Sequence, residues 1–100
     1  YVILDMHGAF GSQNGMDHSG EVNDGKQLYY NQGNKNKTLN LWAKIAEHFK
    51  GNPAVAAYDI LNEPGIKAAA TYSLHWDFYN EIYKTIRSKD SNHIIIMLGC

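Results

Sequence analysis

The chain alternates short apolar runs with amphipathic stretches. Three runs, Val2–Asp5, residues 54–61 and residues 93–98, are rich in Val, Ile, Leu and Tyr and show little polar alternation. Continuous apolar runs of this length fit strands covered on both faces, as in parallel sheets. Between them lie two helical patterns. Over residues 38–50, Leu39, Trp42, Ile45, Ala46 and Phe49 recur at steps of three and four, with Lys44, Glu47 and Lys50 on the opposite face. Thr38 reads as the N-cap, and Gly51 with Pro53 as the stop. Over residues 74–89, Leu74, Phe78, Ile82 and Ile86 recur at steps of four. Asp77 stands near the start and Lys84, Arg87 and Lys89 crowd the end, as the helix dipole favours. Ser73 or Thr71 supplies the cap. The order strand–helix–strand–helix–strand predicts an α/β protein with parallel strands, built from two right-handed βαβ units.

Residues 8–37 fit neither pattern. They are rich in Gly, Asn, Ser and Gln and carry the turn dipeptides Asn14-Gly15 and Asp24-Gly25. A loop of about thirty residues is rare in a compact domain unless it has a function. Both chain ends fall in or beside apolar runs, where a free-standing domain places its termini at the surface. The chain therefore reads as a piece of a larger fold.

Composition excludes several classes. Nine Lys and Arg stand against ten Asp and Glu, for a net charge of −1, with 44% apolar and 19% charged residues. That is the balance of a globular chain rather than a disordered tail. It provides no basic excess for nucleic acid or an anionic membrane. No apolar run approaches the ~18–20 residues of a membrane span. Cys100 is the single cysteine, so no disulfide forms within the chain.

Parallel α/β folds place their chemistry at the carboxyl ends of the strands. Those ends here read Asp5-Met6-His7-Gly8, Asn62-Glu63-Pro64 and Gly99-Cys100. Pro64 cannot continue a central ladder, so the second strand finishes near Glu63. A carboxyl group at the mouth of a sheet, partly shielded from water, stays protonated nearer neutral pH and can donate its proton. Asn62 offers an amide suited to a sugar hydroxyl. A solvated strand-to-loop turn accounts for the same residues without chemistry. His7 fits a sugar ligand, a general base, a metal ligand or a structural histidine, with Asp5 orienting it or pairing with a basic group. Asp5, His7, Asp17 and His18 also compose a set from which a metal site can be built. Asp-x-His-Gly opens the metal centre of binuclear metallophosphoesterases, but their second strand does not end in Asn-Glu-Pro. Trp42, Phe49, Phe78 and Tyr79 lie on helical faces and read as core, whereas Trp76 and the Tyr29-Tyr30 pair have no evident place.

The stretches Val2-Ile3-Leu4-Asp5-Met6-His7-Gly8-Ala9 and Tyr58-Asp59-Ile60-Leu61-Asn62-Glu63-Pro64 resemble glycoside hydrolase family 5, the cellulase and β-glucanase family. The loop Gly11-Ser12-Gln13-Asn14-Gly15-Met16-Asp17-His18-Ser19-Gly20 resembles its exo-β-glucanase-like members. The resemblance implies that residues 1–100 are an incomplete catalytic domain, covering about the third to fifth strands of a (β/α)₈ barrel. Such barrels take about 250 residues. It implies Glu63 as the catalytic acid/base and His7, Asn62, Asp17 and His18 as substrate-binding residues, with no metal and no cofactor. Relatives of this kind commonly carry Asn where His18 stands, an aromatic residue where Met16 stands and Pro where Phe10 stands. The implied partner is a β-glucan or oligosaccharide, and the implied reaction is retaining hydrolysis of its glycosidic bonds. The family's nucleophile, a Glu ending the seventh strand, matches none of Glu21, Glu47 or Glu81. Members are commonly secreted. A carbohydrate-binding α/β module without a nucleophile is the alternative, and a metallophosphoesterase-like hydrolase a further one.

Overall fold

The computed structural model describes residues 1–65 and 72–99. Strand β1 (Val2–Asp5) leads through a long loop to a short helix α1 (Gln27–Tyr30) and helix α2 (Gln32–Phe49). Strand β2 (Val55–Asp59), helix α3 (Tyr72–Lys89) and strand β3 (Ile94–Ile96) follow. The strands form one parallel sheet in the order β1-β2-β3. The expected α/β alternation is therefore present.

One residue from each strand builds each row of the sheet. Leu4, Tyr58 and Ile95 stand side by side, and all three join the core that the helices cover. From α2 this core receives Trp42 and Ala46, and from α3 Phe78, Ile82 and Ile86, with Leu39, Ile45, Phe49 and Leu74 packed at its edge. The helical periodicities thus point where expected. Trp42 buries its indole against Tyr58 while donating its Nε1–H to the carbonyl of Ile60 at 3.1 Å, which satisfies its one polar group. The expected cover on both faces of the strands is supplied on one face only by the described elements. Ile3 and Ile94, one position along, are 55% and 65% exposed, because side chains alternate across a strand and the helices cover a single face.

Several boundaries also differ. The ladder of β2 ends at Asp59 rather than residue 61, although irregular pairing continues as Met6 N–H donates to Asp59 and Asn62 N–H to Met6. The third strand is confined to Ile94–Ile96. Helix α2 starts six residues before Thr38, capped by the Asn31 side chain, which accepts from Asn34 N–H at 3.0 Å. Residues 32–37 are polar throughout, so they carry no periodic signal; the cap and a Gln32–Asn36 side-chain bond support this turn instead. Thr38 lies buried inside the helix, its hydroxyl donating to the Asn34 carbonyl. Ser73 lies within α3 and not before it, while Thr71 and Cys100 fall outside the described residues. The helix stop is as expected, with Gly51 in the left-handed conformation at φ +75°.

The amino-terminal edge of the sheet is fastened by a buried polar cluster. The Tyr58 hydroxyl donates to Asp90 Oδ2 at 2.7 Å, and Asp90 Oδ1 accepts from the backbone N–H of Asn92 and His93. His93 meets the Asp90 carboxylate through Nδ1 and the Asn52 carbonyl through Nε2. Both partners offer acceptor oxygens, which favours a proton on each ring nitrogen. The Asp90 carboxylate accordingly holds the His93 pKa above its ordinary value. Although burial opposes ionisation of Asp90, its hydrogen bonds from Asn92, His93 and Tyr58 hold its pKa well below the usual carboxylate range.

Removing one member of a buried charged pair leaves the other without compensation. Asp90→Asn is expected to lower stability by about 3–5 kcal/mol in equilibrium denaturation. A raised histidine pKa stabilises below its unfolded value near 6.5, and a depressed aspartate pKa stabilises above its unfolded value near 3.9. The difference between wild type and Asp90→Asn should therefore be largest between about pH 4 and 6.5 and shrink on either side. His75, wholly buried in α3 with Nε2 unpartnered, behaves oppositely: desolvation pushes its pKa down to about 4. Its contribution is present above about pH 6.5 and lost as pH falls toward 4. His75→Gln should flatten the stability profile across that interval.

Candidate active site

The carboxyl ends of β1 and β2 leave backbone groups beyond the regular ladder, and the side chains of the long loop satisfy them. Gln13, wholly buried, accepts from Ala9 N–H through Oε1. Its Nε2 donates to the carbonyls of His7 at 2.9 Å and Asn62 at 2.7 Å, bridging the two strand exits. Asn14 does the same one residue further, donating from Nδ2 to the Glu63 carbonyl at 2.8 Å. The Tyr29 hydroxyl donates to the Gln13 carbonyl, so α1 supports the loop from beneath. This explains one of the unplaced aromatic residues: Tyr29 is core, whereas Tyr30 is exposed.

Small residues let the loop fold back on itself. A Cβ on Gly8 would stand 2.7 Å from the Ser19 carbonyl oxygen, so only glycine allows the loop's far end to approach the β1 exit. Gly15, at φ +72°, would likewise meet Asn23 and Gly25 backbone atoms under 3 Å away. Ser12 and Ser19, both buried, hydrogen-bond to each other through their hydroxyls. Glu63 itself sits at φ +40°. That backbone region costs a non-glycine residue about 1–2 kcal/mol, and the bond from Asn14 to its carbonyl helps to hold it there.

Three of the expected site residues meet on this rim. His18 Nε2 lies 3.1 Å from Glu63 Oε2, and the His7 and His18 rings approach edge to face with centroids 6.3 Å apart. His7 Nδ1 is 2.9 Å from Asp5 Oδ2, the orienting role anticipated for Asp5. Asn62 lies between Glu63 and the sheet, half-buried, with both its backbone groups engaged. Asp17 stands apart: its side chain is 93% exposed and its Oδ1 accepts from the His18 N–H in a short 3₁₀ turn. The anticipated shielding of Glu63 is absent. Its side chain is 68% exposed, because the residue lies four positions beyond the end of β2, in the loop and not in the sheet.

A further carboxylate was not anticipated. Asp59 pairs in register with Asp5, and its Oδ1 is buried without a hydrogen-bond partner. Burial, reinforced by the neighbouring Asp5 charge, raises its pKa. Gln13, Asn14, Ser12 and Ser19 were also missed as functional supports. Their signal was present, since Asn and Gln inside a Gly-rich segment serve as side-chain ties for backbone groups. Among the described residues, no three His, Cys, Asp or Glu side chains converge as a metal-binding group, and no helix is long and apolar enough to cross a membrane.

Comparison with known proteins identifies the family and the fold. The family model described as Cellulase (glycosyl hydrolase family 5) matches residues 1–99. A β-xylosidase from Phanerodontia chrysosporium is 30% identical over 99% of this chain, and a probable glucan 1,3-β-glucosidase A from Neosartorya fischeri is 35% identical over 86% of it. The chain spans 20% of the length of each of these relatives. The crystal structure of an endogalactoceramidase superposes on 74% of the chain and 18% of its own with a TM-score of 0.64, at 30% identity. The parallel strand–helix–strand–helix–strand unit is part of a (β/α)₈ barrel, and the chain belongs to glycosyl hydrolase family 5.

Proposed function

We propose that this chain carries the acid/base half of a retaining β-glycosidase site acting on β-glucans or related glycosides, within an incomplete catalytic domain. The observation that carries this reading is the convergence of Glu63, His18 and His7 at the carboxyl ends of neighbouring parallel strands. Strand ends are where a (β/α)₈ barrel assembles its active site. The names of the relatives, glucan 1,3-β-glucosidase and β-xylosidase, support a β-linked glycoside as substrate.

In this reading Glu63 protonates the departing glycosidic oxygen while a second carboxylate attacks the anomeric carbon. The resulting carboxylate of Glu63 then takes a proton from the water that releases the sugar. The two carboxyl groups of a retaining pair stand ~5–5.5 Å apart. Glu21, Glu47 and Glu81 lie in the loop, on α2 and on α3, so the nucleophile comes from another part of the barrel. Asn62, His7, His18 and Asp17 bind the sugar around the cleaved bond. The uncovered face of the sheet, with Ile3 and Asp5 on β1, lines the barrel interior, which the remaining strands close.

Glu63→Gln in the full-length enzyme should lower kcat/KM for an unactivated glycoside by about 10²–10⁴-fold. An aryl glycoside whose leaving group needs no proton should lose far less in kcat/KM. Near-wild-type rates on both would remove Glu63 from the role. Residues 1–100 alone should show no turnover, because the second carboxylate is missing; hydrolysis by a rigorously purified sample would contradict this.

A further inference from the structure

The α-carbon of Glu63 lies between two peptide planes, and both are tied to the long loop. The plane before it carries the Asn62 carbonyl, which accepts from Gln13 Nε2 at 2.7 Å. The plane after it carries the Glu63 carbonyl, which accepts from Asn14 Nδ2 at 2.8 Å. Peptide units are rigid, so holding the planes on both sides of an α-carbon fixes the direction of its Cα–Cβ bond. The conformation held in this way is an unfavourable one. Glu63 has φ +40°, whereas a residue followed by proline prefers φ near about −120°. Strain of this kind persists where the surroundings over-determine it, and it collects at active sites.

Asn14 is well placed to hold the second plane. It is 1% exposed, and its Oδ1 accepts from the Met16 backbone N–H at 2.8 Å, which turns Nδ2 toward the Glu63 carbonyl. Its own N–H and that of Gly15 donate to Ser12 Oγ at 3.3 and 2.7 Å, so the turn that carries it is itself tied. Nδ2 also lies 3.1 Å from His18 Nε2, the ring beside the Glu63 carboxyl group. Gln13 has a broader task, since it grips the His7 exit as well.

Resting on the assignment of Glu63 as acid/base, we propose that Asn14 is its positioning residue: by holding the Glu63–Pro64 peptide it aims the Glu63 side chain at the glycosidic oxygen. Asn14 touches neither the sugar nor the reacting atoms in this scheme. Without its amide, the main chain at Glu63 relaxes toward the extended region favoured before proline, and the side chain swings with it. Proton delivery then suffers, while attack by the second carboxylate, which stands on another strand, continues. A loss transmitted through His18 as a sugar ligand falls on every substrate alike, so the excess loss on acid-dependent substrates measures the aim of Glu63.

The full-length enzyme tests this with two variants. Asn14→Asp keeps the acceptor for the Met16 N–H and removes the donor to Glu63; Asn14→Ala removes both without adding charge. Each should lower kcat/KM for an unactivated glycoside about 10–100-fold more than kcat/KM for a 2,4-dinitrophenyl glycoside, whose departure needs no acid. The comparison is independent of how much protein folds, because an unfolded fraction lowers both values equally. In a Glu63→Gln background, Asn14→Ala should lower both substrates by the same factor, since no acid is left to aim. Equal losses on both substrates in the enzyme that retains Glu63, no loss on either, or an undiminished selective loss in the Glu63→Gln background would overturn the proposal. If Glu63→Gln alone keeps wild-type kcat/KM on both substrates, the acid/base assignment fails instead, which separates the two outcomes.

Discussion

The rim at the carboxyl ends of β1 and β2 depends on two neighbouring amides reaching across the sheet. Gln13 and Asn14 take up the backbone carbonyls of His7, Asn62 and Glu63 where the parallel ladder has ended. Buried carbonyls without partners are costly, so a polar segment of the long loop is drawn into the fold and not left to solvent. The same contacts fix the separation of two strand exits 49 residues apart in sequence. They also hold Glu63 in its left-handed backbone conformation. The loop is therefore part of the framework that holds the two strand exits, from which His7 and Glu63 project.

The two ends of the sheet are built on different physical terms. At the amino-terminal edge, Tyr58, Asp90 and His93 form a closed ionic cluster in which every nitrogen and oxygen named has a partner. At the carboxyl edge, charge is left available: Glu63 and His7 are exposed, and Asp59 keeps a buried oxygen unmatched beside Asp5. Satisfied polar groups rigidify and specify a core, while unsatisfied or mobile ones mark places where chemistry is done. The contrast lies along single strands, since Tyr58 and Asp59 are neighbours.

How much of this was readable in the residues follows from which forces leave a periodic trace. The three strands and both long helices were legible because burial on one face imprints a repeat on the sequence, as in Leu74, Phe78, Ile82 and Ile86. The first six residues of α2 were not, because Gln32 to Lys37 hold their turn through a cap and side-chain bonds that carry no repeat. The second face of the strands is a separate case: Ile3 and Ile94 are apolar, yet the described elements cover only the face of Leu4 and Ile95. At the site, Glu63, His7 and His18 were found through their chemistry and the resemblance of their surroundings. Gln13 and Asn14 were not, since their work is done on backbone atoms whose location no local pattern reveals. Asp59 was read as part of an apolar strand, and only the register opposite Asp5 shows it as a second carboxylate.

The tie from Asn14 to Glu63 is made to the main chain, and those from Gln13 to the strand exits are made to the main chain as well. The position of the backbone is thereby set independently of the side chains it carries. The side chains of Glu63 and His7 therefore project from a backbone whose position is set by the amides at 13 and 14 and not by their own contacts.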